Sequence, residues 1–151
     1  MSLGYKGSVG APPWLDNELD LWFLADVAKG MQWAARFDES LDADEHARLV
    51  HGNIAAGTVD AVLWVLGPVL VSPVAGRRRV DRSRTGLAAE LEAAVMRRGM
   101  VGSTHPDWYY LGGVADALEF SLGFRRAFWW VPLPESLRVG PPARDEYAFS
   151  V

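Results

Sequence analysis

The chain has 151 residues, of which 50% are hydrophobic and 23% are charged, and its formal net charge at pH 7 is −4. This length suits one domain with a sizeable core, and the composition excludes intrinsic disorder of the whole chain. The acidic balance argues against a general nucleic-acid coat, which needs a strong positive field. Because cysteine is absent, disulfides, thiolate nucleophiles and cysteine-ligated metal sites are also excluded.

Residues 1–14 are rich in glycine, serine and proline, which predicts an extended arm. They lack the charged-then-apolar pattern of a signal peptide, so we expect a cytoplasmic protein, or one within a phage particle, and not a secreted one. Trp14 closes the arm and is a candidate for contact with another chain, since tryptophan is typical of interface hot spots.

The first predicted helix runs from about Asp16 to Arg36 and is apolar around most of its circumference. Apolar residues recur at three- and four-residue spacing, and a second such set widens the apolar face. The polar strip that remains is narrow and contains Trp33, a second candidate interface residue. A helix of this kind is usually central in a bundle or buried by a partner chain.

The second predicted helix opens with a capping box, Asp42 and Glu45, and ends at Leu66 before a Gly-Pro stop signal. The apolar stretch 55–76 is long enough to raise the question of a membrane span. Asp60 near its middle and two prolines in its second half argue against a span. We therefore expect no membrane association.

The connection that follows, 68–84, is the longest and is predicted to be the most mobile segment. It ends in a basic run with five arginines in eight residues. Arginine forks suit phosphate, so this run would fit a small subunit that contacts RNA or DNA. Runs of this kind also lie in solvent or pair with acidic surface, and both interpretations stay open here. The arginines are Arg77, Arg78, Arg79, Arg82 and Arg84.

Two further helices are predicted, one from about Gly86 to Arg98 and one from about Pro106 to Gly123. The four helices together predict an all-α fold, an antiparallel four-helix bundle over residues 15–123. Internal similarity supports this architecture. Segments 57–67 and 113–123 share five of eleven residues at an offset of 56, which suggests a duplicated helical hairpin.

Each copy of the repeat places an aspartate on the same helix face as a glycine, an alanine and an aromatic residue. A carboxylate on a packed face must be paired or hydrogen-bonded. For Asp60 and Asp116 three interpretations remain. They form salt bridges with Arg97, Arg98 or an arginine of 77–84, they face a shared cation or substrate, or they face solvent.

Residues 124–151 are predicted to form a C-terminal docking tail, because four prolines prevent a continuous helix. The tail carries large aromatic residues beside arginine and proline. They either cap the open end of the bundle or anchor the chain to another one. The candidates are Phe128, Trp129, Trp130, Tyr147 and Phe149.

Catalytic and metal-binding patterns are absent from the sequence. It has no Gly-x-Ser-x-Gly and no phosphate loop, and its histidines lack the ligand spacing of a di-metal bundle. We therefore expect no metal and no cofactor. The prediction is a non-catalytic helical subunit with protein partners in a larger, homo-oligomeric assembly, such as a phage particle component or a multi-subunit complex. The alternatives are the nucleic-acid-associated subunit and an enzyme whose site leaves no short motif.

Overall fold

The computed structural model describes residues 10–39, 44–76 and 82–124, which contain four helices and no strand. The helices are α1 (Glu18–Phe37), α2 (Glu45–Leu66), α3 (Arg84–Val101) and α4 (Pro106–Ser121). They pack against one another around a shared hydrophobic core. The predicted all-α four-helix bundle is confirmed.

Several predicted features lie outside the described residues. They are the first nine residues of the arm, three arginines of the basic run and the five aromatic residues of the tail. These last two sets are Arg77, Arg78 and Arg79, and Phe128, Trp129, Trp130, Tyr147 and Phe149.

Helices α2 and α4 form the central pair, with α1 packed on α2 and α3 packed on α4. The largest fully buried side chain, Trp64, belongs to α2. Helix α1 is therefore peripheral, although its all-round apolarity had left a central position open. Helix α2 has the length and apolarity of a membrane span, but 56% of its most apolar window is buried inside the bundle. That burial is typical of the core helix of a globular domain.

Two glycines allow α2 and α4 to touch backbone to backbone. A Cβ atom at Gly57 would overlap the carbonyl oxygen of Tyr110, and one at Gly113 would overlap that of Ile54. The two contacts are equivalent in the repeat. Adding the offset of 56 to Ile54 gives Tyr110, and adding it to Gly57 gives Gly113. The two copies of the repeat therefore pack against each other at the centre of the fold, in a contact with pseudo-twofold symmetry.

The ends of the central helices follow the repeat. Gly67 and Gly123 come just after α2 and α4 with φ of 112° and 83°, in the left-handed region that favours glycine. The start of α2 differs from the prediction. Its N-cap is Asp44, whose carboxylate accepts a hydrogen bond from the amide of Ala47 at 2.7 Å, whereas Asp42 lies outside the described residues.

The first part of the long connection, 68–76, packs on α3 and is not a free loop. Glu90 is 2% exposed, and its carboxylate accepts hydrogen bonds from the amides of Val74 (2.6 Å) and Ala75 (3.1 Å). Arg97 donates to the carbonyl of Val74 at 3.3 Å. A buried carboxylate needs such donors, so the prediction of a mobile segment is wrong for this part of the connection.

We expect Gly57→Ala to lower the free energy of unfolding, because the added methyl group would push against the backbone of α4. Overpacking of this kind typically costs about 1–3 kcal/mol. Urea denaturation measures the change. The matched control is Gly99→Ala, where an added Cβ meets nothing within 4 Å, so helix propensity should raise stability by up to about 1 kcal/mol. Equal stability of Gly57→Ala and the parent would contradict the close contact.

Candidate functional site

Helix α1 carries a row of exposed apolar side chains on its outer side. Leu19, Phe23, Trp33 and Phe37 are exposed by 82%, 38%, 59% and 58%. With Asp26 and Gly30 they follow one another at alternating four- and three-residue steps. This spacing keeps all six within about 40° of one direction on the helix surface. We call these six residues the α1 stripe.

The α1 stripe lies opposite the face that α1 packs against the bundle. That inner face is formed by Leu21, Leu24, Ala25 and Ala28, each no more than 1% exposed. An ordinary surface helix has one apolar face and one polar face. Helix α1 instead carries large apolar side chains on both sides, and its own bundle covers only the inner ones.

The C-terminal end of the α1 stripe is an organised aromatic cluster. The rings of Trp33 and Phe37 lie 6.0 Å apart between centroids, and the guanidinium of Arg36 lies 5.5 Å from the centre of the Phe37 ring. Tryptophan and arginine are the residue types that dominate binding energy at interfaces. The sequence had pointed to Trp33. Sequence reasoning did not predict Leu19, Phe23 and Phe37 as interface residues, although their spacing is visible in the sequence. The sequence does not show which face of α1 the bundle covers.

Trp14, also predicted as an interface residue, packs on its own bundle. Its indole Nε1 donates to the carbonyl of Arg82 at 2.8 Å, and the guanidinium of Arg84 lies 4.9 Å from its ring centre. The preceding stretch is close to the end of α2, where Gly10 lies against Gly67. The described end of the arm thus packs on this chain.

Two arginines of the basic run bind helix ends. Arg82 donates to the carbonyls of Trp64 (2.7 Å) and Val69 (3.0 Å), at the end of α2 and just after it. Arg84 donates to the carbonyl of Leu122, at the end of α4, at 3.5 Å. Cations suit these positions because free carbonyls and the helix dipole make them negative. Burial lowers the pKa of the Arg82 guanidinium below its usual value.

The two repeated aspartates lie in different surroundings. Asp116 is 1% exposed, and its charge attracts the guanidinium of Arg98 from α3. Asp60 is exposed and accepts a hydrogen bond from the hydroxyl of Tyr110 at 2.6 Å. Within the described residues, no group of three His, Asp or Glu side chains is placed to hold a metal ion.

Arg98 ties α3 to α4 through several contacts. Its Nε donates to the backbone carbonyl of Trp108 at 3.0 Å, and its guanidinium lies 3.5 Å from the centre of the Trp108 ring. Gly112 leaves room for it, since a Cβ there would lie 2.9 Å from Nη2. Burial lowers the pKa of Arg98, and the charge of Asp116 opposes that shift.

A depression of about 470 Å³ opens where α1 ends and α2 begins, lined by Ala35, Glu45, His46, Arg48 and Leu49. The guanidinium of Arg48 in this depression is bound to backbone carbonyls. Arg48 donates to the carbonyl of Asp38 at 2.8 Å and to that of Ala35 at 3.4 Å, at the end of α1. The depression therefore reflects the joint between two helices, and the α1 stripe is the stronger candidate for a functional surface.

We expect Arg82→Ala to lower the free energy of unfolding by about 1–3 kcal/mol, because two carbonyls near the end of α2 lose a charged donor. Arg84→Ala is the matched control. It removes one longer hydrogen bond and one ring contact from an exposed side chain, whereas Arg82→Ala removes two shorter hydrogen bonds and one ring contact, so the loss for Arg84→Ala should be clearly smaller. Thermal unfolding of both variants tests this order, and a larger loss for Arg84→Ala would refute it.

The Tyr110 hydroxyl provides a test by pH. Burial, the hydrogen bond to Asp60 and the charge of that carboxylate raise the pKa of Tyr110 above its usual value. The folded state therefore holds the phenolic proton more tightly than the unfolded chain does. This contribution to stability is complete below about pH 10 and is lost as the pH rises from there through the folded pKa.

Asp60→Asn should lower the pKa of Tyr110 part of the way, because the charge is removed while the burial remains. Ultraviolet absorbance titration of the folded protein follows the phenolate directly. Tyr110→Phe identifies the signal, since the late-titrating component should vanish in that variant. An unchanged Tyr110 titration in Asp60→Asn would show that the carboxylate does not contribute.

No known protein family matches this chain, and neither a curated protein nor a solved structure is significantly similar to it.

Proposed function

We propose that this protein is a non-catalytic helical subunit that assembles with copies of itself through the α1 stripe. The observation that supports the proposal is the exposure of four large apolar side chains on the outer face of a peripheral helix. A component of a phage particle or of another multi-subunit complex would use such a surface in the same way.

The physical reason is the free energy of hydration. Burying a leucine or phenylalanine side chain contributes about 1.5–3 kcal/mol relative to leaving it in water. Single exposed apolar residues are common on monomers, but four large ones along one line of a helix mark a site of contact. The α1 stripe is about 27 Å long, from the 1.5 Å rise per residue, which is long enough to bind a helix along its length.

The nucleic-acid alternative has less support. It depends on five arginines, and of the two in the described part of the chain, Arg82 and Arg84 both contact carbonyls and tryptophan rings of their own bundle. Guanidinium groups used in this way would have to leave helix ends before they could bind phosphate.

The enzyme alternative also lacks a specific observation in its favour. Nucleophilic catalysis needs a nucleophile, a base and a group that orients the base. Arg82, Arg98 and Tyr110 have raised or lowered pKa values, and each of them is bound to a structural partner.

The test is the mass of the protein by light scattering over a range of concentrations. We expect the parent to approach a multiple of 16.6 kDa as the concentration rises. The double variant Leu19→Ser/Trp33→Ser should remain a monomer at the same concentrations.

A matched control is available on α3. Met100 and Met96 are exposed by 82% and 63%, close to the 82% and 59% of Leu19 and Trp33. Met96→Ser/Met100→Ser should assemble like the parent, because its changes leave the α1 stripe intact. Circular dichroism confirms that each variant is folded. A parent that stays monomeric at every concentration would refute self-assembly.

A further inference from the structure

We infer that the occupant of the α1 stripe is α1 of a second copy, which runs antiparallel to the first about a two-fold axis at the level of Ala28. This inference rests on the proposed function and adds the partner and its orientation. Two properties of α1 support it, namely the order of the stripe residues and the position of their one charge.

The order of the α1 stripe reads the same in both directions. Its steps are four, three, four, three and four residues, so a second copy in reverse orientation meets it in register. Leu19 then lies opposite Phe37, and Phe23 lies opposite Trp33. Alternating steps of three and four are the spacing by which two helices interlock their side chains.

Asp26 is the one charged residue of the α1 stripe, and it distinguishes the two orientations. A parallel pair would place two Asp26 carboxylates against each other, which like-charge repulsion opposes. The antiparallel pair places Asp26 opposite Gly30, which has no side chain and leaves space for the carboxylate. Lys29 of the second copy then lies within one residue of the same level, where its ammonium favours the charge.

The remaining charges of the helix contribute less, because both attraction and repulsion occur between its ends in the antiparallel pair. Its first half carries Glu18 and Asp20, and its second half carries Arg36. Glu18 and Arg36 project toward the same flank of α1, so the antiparallel pair brings each beside its opposite on the second copy. Asp38, just after the end of the helix, comes level with Glu18 of the second copy, and this like-charge approach offsets part of the attraction. Helix dipoles also favour opposite directions for paired helices.

The size of the contact predicts a reversible dimer. A stable interface buries about 800 Å² on each partner. One helix face about 30 Å long supplies less than that, because only a single row of side chains takes part. We therefore expect dimerisation to depend on protein concentration.

Distances between spin labels test the orientation in the full-length protein. The chain contains no cysteine, so a single introduced cysteine takes one label in each copy. Gln32→Cys and Glu39→Cys are suitable because both positions are exposed, lie off the α1 stripe and make none of the contacts proposed to hold the pair together. Light scattering first establishes the concentration at which each labelled variant assembles as the parent does.

In the antiparallel dimer, labels at position 32 lie only four residues from the level of the two-fold axis in each copy and should give the shorter distance. Labels at position 39 should lie about 15 Å farther apart, from the five residues of helical rise between position 32 and the end of α1 in each copy. Similar short distances at both positions would indicate a parallel pair and overturn the inference.

Other outcomes separate the inference from the proposed function. If the parent assembles and Leu19→Ser/Trp33→Ser does not, but neither label gives a distance of this pattern, the α1 stripe binds a different surface and only the inference fails. If the parent is a monomer at every concentration, both fail. A variant with two introduced cysteines, Gln32→Cys/Ser136→Cys, would then identify the protein's own tail as the occupant if its two labels lie close together.

Discussion

The contact between the backbones of α2 and α4 determines where every other helix lies. Gly57 and Gly113 each face a carbonyl of the other helix, so a methyl group at either position would separate the pair. Close approach of this kind buries the inner faces of both helices, including Trp64 and Leu118. With the centre filled, α1 and α3 have room only on the outside. The peripheral position of α1, and hence the exposure of its second apolar face, follows from two glycines on other helices.

Arginine side chains hold the outer parts of the bundle to this centre. Arg48 from α2 binds the end of α1, Arg82 binds the end of α2, and Arg84 reaches the end of α4. In each case a delocalised cation donates to carbonyls at the end of a helix, where the helix itself supplies few donors. Arg98 makes the corresponding link between α3 and α4, with its guanidinium over the ring of Trp108. Much of the basic character of the described chain is therefore structural, which weakens any interpretation that treats these arginines as free to bind phosphate.

Helix α1 carries more apolar surface than its own bundle covers. As a local element, α1 has enough apolar surface for burial on two sides, and the fold buries one. The outer side has the properties of an interface, with Trp33 and Phe37 in contact and Arg36 over the second ring. The order of the α1 stripe residues, with Asp26 opposite Gly30, fits a second copy of α1 in the reverse orientation. The same 20-residue helix would then join the core of one bundle to its neighbour.

The sequence determined the number of helices, most of their bounds and the relation between residues 57–67 and 113–123, because periodicity, capping residues and glycine stop signals act over a few residues. It also identified Trp33 and both repeated aspartates as unusual. Only the tertiary structure decided which of the two apolar faces of α1 is covered, that Asp116 is buried while Asp60 is exposed, and that Arg82 and Arg84 bind helix ends. The reason is that each of these depends on residues far away in the chain. A local pattern states what a helix could bury, but the space left by the other helices decides what it does bury.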